Sequence, residues 1–143
     1  MDTTKQQLAN QMYQDGNFAE AASLFEEIAH ECYMNGEILN SAEMKNNSSV
    51  AYLKSGNPQK ALEIAQFTDE TFKEADDKKR QAIALGNQAA ALQELGKLSE
   101  SLNLYQQCDE ILNALEEKDM RVYVLQNIPT IKMKLGNPLE ALA

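Results

Sequence analysis

The chain has 143 residues, of which 22 are acidic and 13 basic, so its net charge is −9. This balance excludes the basic surface that nucleic-acid binding requires, and we expect no nucleic-acid partner. No stretch is long and apolar enough to span a membrane, and no secretory signal opens the sequence, so we expect a cytoplasmic protein without a membrane partner.

The residue types that usually carry chemistry are scarce. The chain has one histidine, His30, no tryptophan, and two cysteines, Cys32 and Cys108. The cysteines lie in unrelated helical segments, which favours free thiols in the core and a reducing compartment. His30 is predicted to face solvent or to be half-buried, because its neighbours in the chain lie on other faces of the helix. We therefore expect no enzyme, no metal site and no cofactor.

A short phrase recurs four times, with its glycine at positions 16, 56, 96 and 136. A glycine can end a helix in the left-handed conformation, an asparagine can cap the next helix, and proline suits the first helical position. Each phrase therefore predicts a joint between two helices. The phrases are Gly16-Asn17-Phe18-Ala19-Glu20-Ala21-Ala22, Gly56-Asn57-Pro58-Gln59-Lys60-Ala61-Leu62, Gly96-Lys97-Leu98-Ser99-Glu100-Ser101-Leu102 and Gly136-Asn137-Pro138-Leu139-Glu140-Ala141-Leu142.

Apolar residues at three- and four-residue spacing predict helices between the joints, and no strand-like alternation competes with them. First helices of successive pairs are predicted at 2–15, 38–55, 79–95 and 119–135, and second helices at 18–34, 58–74 and 98–115. The fold is therefore predicted to be an all-α solenoid of stacked antiparallel helix pairs, and the family resemblance given below implies that this α-solenoid is right-handed. It forms a single domain over 1–143, with repeats at about 1–37, 38–77 and 78–117 and a partial fourth at 118–143.

The fourth pair differs from the others. Pro129 stands inside its first helix, where a proline removes one hydrogen bond and kinks or destabilises the helix. Its second helix has only begun at Ala143, and the polar capping element that normally closes a repeat array is missing. We therefore expect a fragment of a longer protein whose C-terminal end is exposed and prone to self-association.

The periodic positions resemble those of the tetratricopeptide repeat (TPR) family, specifically members with lengthened helices and the forty-residue period seen here. That family has small residues at its eighth and twentieth positions and a larger residue at its twenty-fourth. The resemblance covers essentially the whole chain and implies that first helices line a concave groove that binds protein or peptide segments. The matching residues are Ala9, Ala21 and Phe25, then Ser49, Ala61 and Ala65, then Ala89, Ser101 and Tyr105.

The groove positions carried over from the family are polar and nearly uncharged. Asn47, Asn87 and Asn127 repeat with the period, and Gln7 stands at the equivalent place in the first repeat. An asparagine amide both donates and accepts, so the row could pair with the backbone of an extended segment. Alternatively, each asparagine could bond to a neighbouring helix and fix the stacking. The remaining candidate peptide-binding residues are Asn10, Tyr13, Val50, Lys54, Ile83, Glu94 and Tyr123.

Two further alternatives remain open at this point. Apolar groove residues such as Val50 and Ile83 either form pockets beside the asparagines or pack adjacent first helices together. The chain as a whole is predicted to be a non-catalytic protein- or peptide-binding scaffold. The alternative is a structural spacer or self-associating segment of a larger protein, with the C-terminal helix face as the interface of a homo-oligomer.

Overall fold

A computed structural model describes residues 3–136, and within that range it contains helices and short joints but no β-strand. The predictions for all helices except 58–74 are confirmed to within one residue at each end. The helices are α1 (Thr3–Gln14), α2 (Phe18–Met34), α3 (Ile38–Lys54), α4 (Pro58–Ala65), α5 (Thr68–Glu74), α6 (Lys78–Glu94), α7 (Leu98–Ala114) and α8 (Lys118–Lys134).

The joints repeat at half the period visible in the sequence. A left-handed residue follows each of α1, α2, α3, α5, α6, α7 and α8, at positions 16, 36, 56, 76, 96, 116 and 136. Beside it, the N–H of Asn17 donates to the carbonyl of Met12 at 2.9 Å, and the same bond recurs at positions 37, 57, 77, 97 and 117. This bond is part of the Schellman motif, which satisfies the last carbonyls of a helix. Each repeat of the sequence thus consists of two halves with equivalent backbone joints.

The residues at the joints follow the predictions in part. Gly16, with φ of 82°, and the other phrase glycines are left-handed as predicted. The predicted cap at Asn57 is confirmed, since its side chain accepts a 3.2 Å hydrogen bond from the N–H of Lys60. The predicted cap at Asn17 is wrong, because its side chain makes no capping bond. Glycine is also dispensable at two joints, where Asp76 has φ of 56° and Glu116 has φ of 59°.

Small residues let neighbouring helices approach closely, as the family pattern implies. Ala9, Ala21, Ala61 and Ala89 are completely buried between helices. Where a serine replaces alanine, its hydroxyl donates to a backbone carbonyl on the adjacent helix, so no buried hydroxyl of this set lacks a partner. The bonds are Ser41 to Ala29, Ser48 to Ala22 and Ser49 to Ala61 at 2.8 Å, and Ser101 to Ala89 at 2.7 Å.

The prediction of one continuous helix at 58–74 is wrong. The chain breaks between α4 and α5, where Phe67 adopts a left-handed φ of 67° and leaves its side chain 66% exposed. The carbonyl of Ala65, freed by the break, accepts a 3.0 Å hydrogen bond from Nε2 of Gln88 on α6. It also accepts one from the hydroxyl of Thr68 at 2.7 Å. These two donors replace the helical bond, so the interruption leaves this carbonyl with partners.

The fourth pair is described only as far as Gly136. Pro129 lies inside α8, which nevertheless runs from Lys118 to Lys134 without an interruption. The predicted start of a fourth second helix, with Leu139 and Leu142, lies outside the described residues, as does the predicted C-terminal end. Cys32 and Cys108 are free and buried, which confirms their prediction as small core residues. His30 is exposed, as expected.

Candidate functional site

Most of the groove residues named above lie on what we call the first-helix face, the surface formed by α1, α3, α6 and α8. Its main feature is an open cavity of about 390 Å³, hereafter the central cavity, which lies between α3, α6 and α8 with α7 as its floor. Most of its lining is apolar. The lining residues are Ser49, Val50, Leu53, Lys54, Ala82, Ile83, Gly86, Asn87, Ala90, Cys108, Leu112, Met120, Tyr123 and Val124.

Gly86 leaves space between α6 and the floor of this cavity. The other five glycines of the chain have positive φ and end helices, whereas Gly86 stands in the interior of α6. A Cβ atom placed on it would lie 3.6 Å from Sγ of Cys108 on α7, at ordinary contact distance. A glycine at this point lowers the stability of a helix, by about 0.5–1 kcal/mol relative to alanine. The missing side chain leaves room above Cys108.

The thiol at the floor is a packed group and a poor nucleophile. Sγ of Cys108 donates a hydrogen bond of 3.1 Å to the carbonyl of Ala82. Burial, with a smaller contribution from the carboxylate of Asp109, raises the pKa of the Cys108 thiol to about 11. Because the thiolate is the reactive form of cysteine, this group is neutral and unreactive near neutral pH.

The three periodic asparagines make no hydrogen bond to another helix within the described part of the chain. Asn127 donates a bond of 2.8 Å to the carbonyl of Tyr123 on its own helix. Asn47 is half-buried on α3. Asn87 lines the central cavity, and its Nδ2 is shielded from solvent without any partner in residues 3–136. A shielded amide without a partner costs about 1–3 kcal/mol, so Asn87 carries an unused donor.

A second shielded amide stands on the other side of Ile83. Asn46 is only 6% exposed, and its Oδ1 has no hydrogen-bond partner among the described residues. It lines a polar recess of about 360 Å³ together with Glu43, Asn47, Asp77, Lys79, Arg80 and Ile83. The unused acceptor of Asn46 and the unused donor of Asn87 therefore lie in two adjoining cavities, both of which are lined by Ile83.

Residues of the first two repeats form a further recess on this face. It measures about 280 Å³ and brings together Asn10, Tyr13, Phe25, Asn47 and Val50. Val50 lines both this recess and the central cavity, so the two adjoin along α3. Of the predicted residues, Gln7, Glu94 and Asn127 line neither of them.

Lys54 is the one charged residue of the central cavity's lining. Its Nζ lies 5.2 Å from the centre of the Tyr13 ring and 5.6 Å from that of Phe18. No carboxylate among residues 3–136 forms an ion pair with it, although the chain carries an excess of acid. A cation over an aromatic face is held by the ring's quadrupole, an interaction weaker than a buried ion pair.

The sequence left open whether the apolar residues of this face line pockets or pack adjacent helices together. The central cavity is lined by Val50, Leu53, Ile83 and Tyr123. Met133 is 54% exposed and lines neither the central cavity nor the recess beside it. Tyr123 also packs edge-on against Tyr105, with the ring centres 6.3 Å apart. Several residues thus serve packing and cavity lining together.

Sequence reasoning missed Gly86, Ala82, Met120 and Val124 as lining residues and placed Cys108 in the core only. One signal could have identified Gly86, because it stands inside a predicted helix and away from the four repeated phrases. The structure shows no cluster of three or more potential metal ligands in the part of the chain it describes. None of the helices in that part combines the length and apolar character needed to cross a bilayer.

Comparisons with known proteins identify the fold. No protein-family model matches the sequence, and no curated protein matches it. Among solved structures, a Podosopora anserina protein assigned as a kinesin light chain with nearly identical TPR-like repeats has a TM-score of 0.83 to this chain. The likeness covers 97% of this chain and 69% of that one, at 19% identity.

A single-residue variant of the same protein also scores 0.83, with 19% identity over 97% of this chain and 68% of the other. The chain is thus similar to TPR-like repeat structures along nearly its whole length, which confirms the predicted all-α solenoid.

Proposed function

We propose that this chain, which has a TPR-like helical-repeat fold, is a non-catalytic scaffold that binds an extended protein or peptide segment on its first-helix face. In this proposal Asn47, Asn87 and Asn127 pair with the backbone of the segment. The observation that carries it is the unpartnered Nδ2 of Asn87, a buried donor that a peptide carbonyl would satisfy.

The proposal is supported by a difference between the buried serines and the periodic asparagines. Helix stacking uses serine hydroxyls, such as those of Ser49 and Ser101, which bond to carbonyls of neighbouring helices. The asparagines make no such bond within the described residues. Stacking therefore already has its own hydrogen bonds, and the amides of Asn47 and Asn87 remain available to a ligand that presents donors and acceptors, whereas Asn127 would exchange its bond to Tyr123 for one to the ligand.

Two observations support a scaffold without catalysis. The pKa of Cys108 is raised by burial, and His30 lies outside the central cavity. Neither arrangement resembles an activated nucleophile with its base. The proposal accordingly includes no cofactor and no nucleic acid, and it places the protein in the cytoplasm, where buried free thiols such as Cys32 stay reduced.

The experiment is designed to separate backbone pairing from side-chain recognition. A dodecapeptide would first be selected on the wild-type chain from a displayed library, and its peptide bonds would then be replaced one at a time by alkene isosteres, which lack the carbonyl acceptor. We expect Asn87→Ala to weaken the selected peptide about tenfold or more, which corresponds to about 1.4 kcal/mol. Replacement of one defined peptide bond should cause a similar loss in the wild type and no further loss in Asn87→Ala.

The matched control is Asn103→Ala, since Asn103 lies on α7 and bonds only to Gln107 on the same helix. Thermal midpoints would be recorded for both variants. An Asn87→Ala variant that keeps its peptide affinity but loses stability would show that the asparagine fixes the stacking, and the proposal would then fail.

One observation favours a second candidate function, self-association. Val122, Leu125 and Met133 on α8 are each about half exposed. An exposed apolar group of this kind on one helix often marks an interface. Light scattering would test this candidate, because Met133→Glu should abolish a concentration-dependent rise in mass if α8 forms the contact. A constant monomer mass at all concentrations would exclude it.

A further inference from the structure

We infer that the central cavity is a binding site for a small apolar carboxylic acid, with the apolar body over Cys108 and the carboxylate near Lys54 and Asn87. This site shares the amide of Asn87 with the backbone pairing proposed above, so the two ligands compete for that amide, but it uses neither Asn47 nor Asn127. It rests on the shape of one cavity, its lining and the distribution of charge around it.

The central cavity is larger than the recess at the equivalent place one period earlier, which measures about 280 Å³. In that recess Asn10, Tyr13, Asn47 and Val50 correspond to Val50, Leu53, Asn87 and Ala90 of the cavity. Gly86 in the third repeat corresponds to Asn46 in the second and Gln126 in the fourth, one period away on either side. A groove that reads only a peptide backbone needs the same depth at every repeat. A larger, mostly apolar cavity, opened by one glycine at a cost in helix stability, instead suits a compact ligand.

The size and lining agree with a small ligand. A volume of about 390 Å³ lies within the range of roughly 300–1,000 Å³ that is usual for small-molecule sites. Leu112 and Cys108 form an apolar floor, and polar groups are few. The hydroxyl of Ser49 is already committed to the carbonyl of Ala61, so the polar side-chain groups left for a ligand are the amide of Asn87, the ammonium of Lys54 and the hydroxyl of Tyr123.

The positive charge of Lys54 favours an anion as the polar part of the ligand. Lys54 is the one charged residue of the lining and has no carboxylate partner among the described residues. Its four methylenes allow the ammonium to move between the Tyr13 ring and the mouth of the cavity. A carboxylate there would gain a charge-assisted bond from Lys54 and could also accept the unused donor of Asn87. One carboxylate is therefore assigned to both groups, with Lys54 moving from the Tyr13 ring to reach it.

The probe is octanoate, with octanol as its uncharged counterpart, and calorimetry on the full chain measures affinity. Lys54→Met should weaken octanoate about tenfold while leaving octanol unchanged, since the lost interaction is the charged one. Gly86→Leu should abolish binding of both probes, because its side chain would occupy the space above Cys108. In wild type, octanoate should also shift the NMR signals of the Asn87 side-chain amide.

Two controls keep the test decisive. Lys97→Met removes an exposed lysine at a joint that does not line the cavity, and octanoate affinity should not change. Gly86→Ala adds one methyl group at ordinary contact distance, so it reports on the site if the leucine variant fails to fold. We expect Gly86→Ala to fold and to bind octanoate more weakly than wild type.

Three results would overturn the inference. The first is an absence of octanoate binding to the wild-type chain. The second is equal octanoate affinity in wild type and Lys54→Met. The third is tighter binding of the peptide Gly-Gly-Gly-Gly-Leu than of octanoate, since this peptide presents an apolar group and a carboxylate at a chain terminus. That outcome would assign the cavity to the end of a polypeptide.

Discussion

The hydroxyl of Ser49 on α3 donates a hydrogen bond of 2.8 Å to the carbonyl of Ala61 on α4. One period later the same two positions hold Ala89 and Ser101, and the bond of 2.7 Å runs from the second helix to the first. Each of these helix contacts thus contains one buried hydroxyl and one methyl group, and either helix can supply the hydroxyl.

This exchange predicts the behaviour of a swapped pair. Ser49→Ala should lower the free energy of unfolding by about 1 kcal/mol, because it removes one buried hydrogen bond. The double variant Ser49→Ala with Ala61→Ser should recover most of that loss, since it recreates the arrangement of the third repeat. Urea unfolding of the two single variants and the double variant measures the coupling. A double variant no more stable than Ser49→Ala would contradict the equivalence of the two contacts.

The left-handed joints predict a stabilising substitution. Glu116 adopts a φ of 59°, a conformation that costs a residue with a Cβ atom roughly 1–2 kcal/mol. Glu116→Gly should therefore raise the free energy of unfolding by about 0.5 kcal/mol, after the entropy that glycine loses on folding is subtracted. The reverse control is Gly36→Ala, where the added Cβ would meet no atom within 4 Å and only the backbone is strained. It should be destabilising by about 1 kcal/mol, and thermal melts would compare both variants with wild type.

The cap of α6 predicts a dependence on acid pH. Asp77 accepts a 3.1 Å bond from the N–H of Arg80, and this bond, followed by the Arg80 guanidinium, lowers the pKa of the Asp77 carboxyl. The carboxylate therefore contributes stability above the unfolded pKa of about 3.9, and that contribution is lost as pH falls through the folded value. Asp77→Ala should cost about 1 kcal/mol at pH 7, and less as pH falls below 4.

The control for this prediction is Asn57→Ala, which removes a cap that cannot titrate. Its cost should be the same at pH 7 and at pH 3. Urea midpoints across this range compare the two variants, and an equal pH dependence for both would show that the Asp77 charge has no part in the effect.

Tyr52 predicts a second pH dependence, on the alkaline side. Its hydroxyl donates to the carboxylate of Glu26 on α2, and burial together with this bond raises the pKa of Tyr52 to about 12. Because the raised pKa favours the protonated hydroxyl, its stabilisation is complete below the unfolded pKa of about 10 and is lost as pH rises towards 12. Wild type should exceed Tyr52→Phe in stability at pH 8, and the difference should shrink between pH 10 and 12. Tyr33→Phe, at an exposed position, should show no such trend.

The sequence predicted the joints well because their signals are local. A glycine at a helix end and a proline at the next start act through the backbone of a few residues, and Gly56-Asn57-Pro58 carries both. Local signals also explain why the shorter period was missed. Asp76 and Glu116 adopt the same left-handed conformation as Gly36, but an aspartate or a glutamate in a sequence does not predict that conformation. Only the arrangement of the whole solenoid makes the two halves of a repeat equivalent.

The break at Phe67 and the central cavity depend on contacts between distant residues. The carbonyl of Ala65 can leave its helix because Gln88 on α6 supplies a donor. The cavity depends on Gly86 and Cys108 meeting across two helices. Helical spacing assigned Val50, Ile83 and Asn87 to one face, yet it contains no information about the depth between them. The repeat pattern therefore predicted which face carries the candidate site, whereas the shape of the cavity depends on packing between helices that are distant in sequence.

The even spacing of the joints sets the lengths by which the chain can be edited. Removal of residues 38–77 takes out a whole repeat, so α6 would follow α2 at a joint of unchanged geometry and every remaining helix would keep its face. Removal of residues 38–57 alone would also rejoin two equivalent joints, but it would turn each later first helix into a second helix. The asparagines at positions 87 and 127 would then lie on the opposite surface from Gln7. Both deletions would rejoin equivalent joints, so the side chains, and not the joints, determine which surface each helix presents.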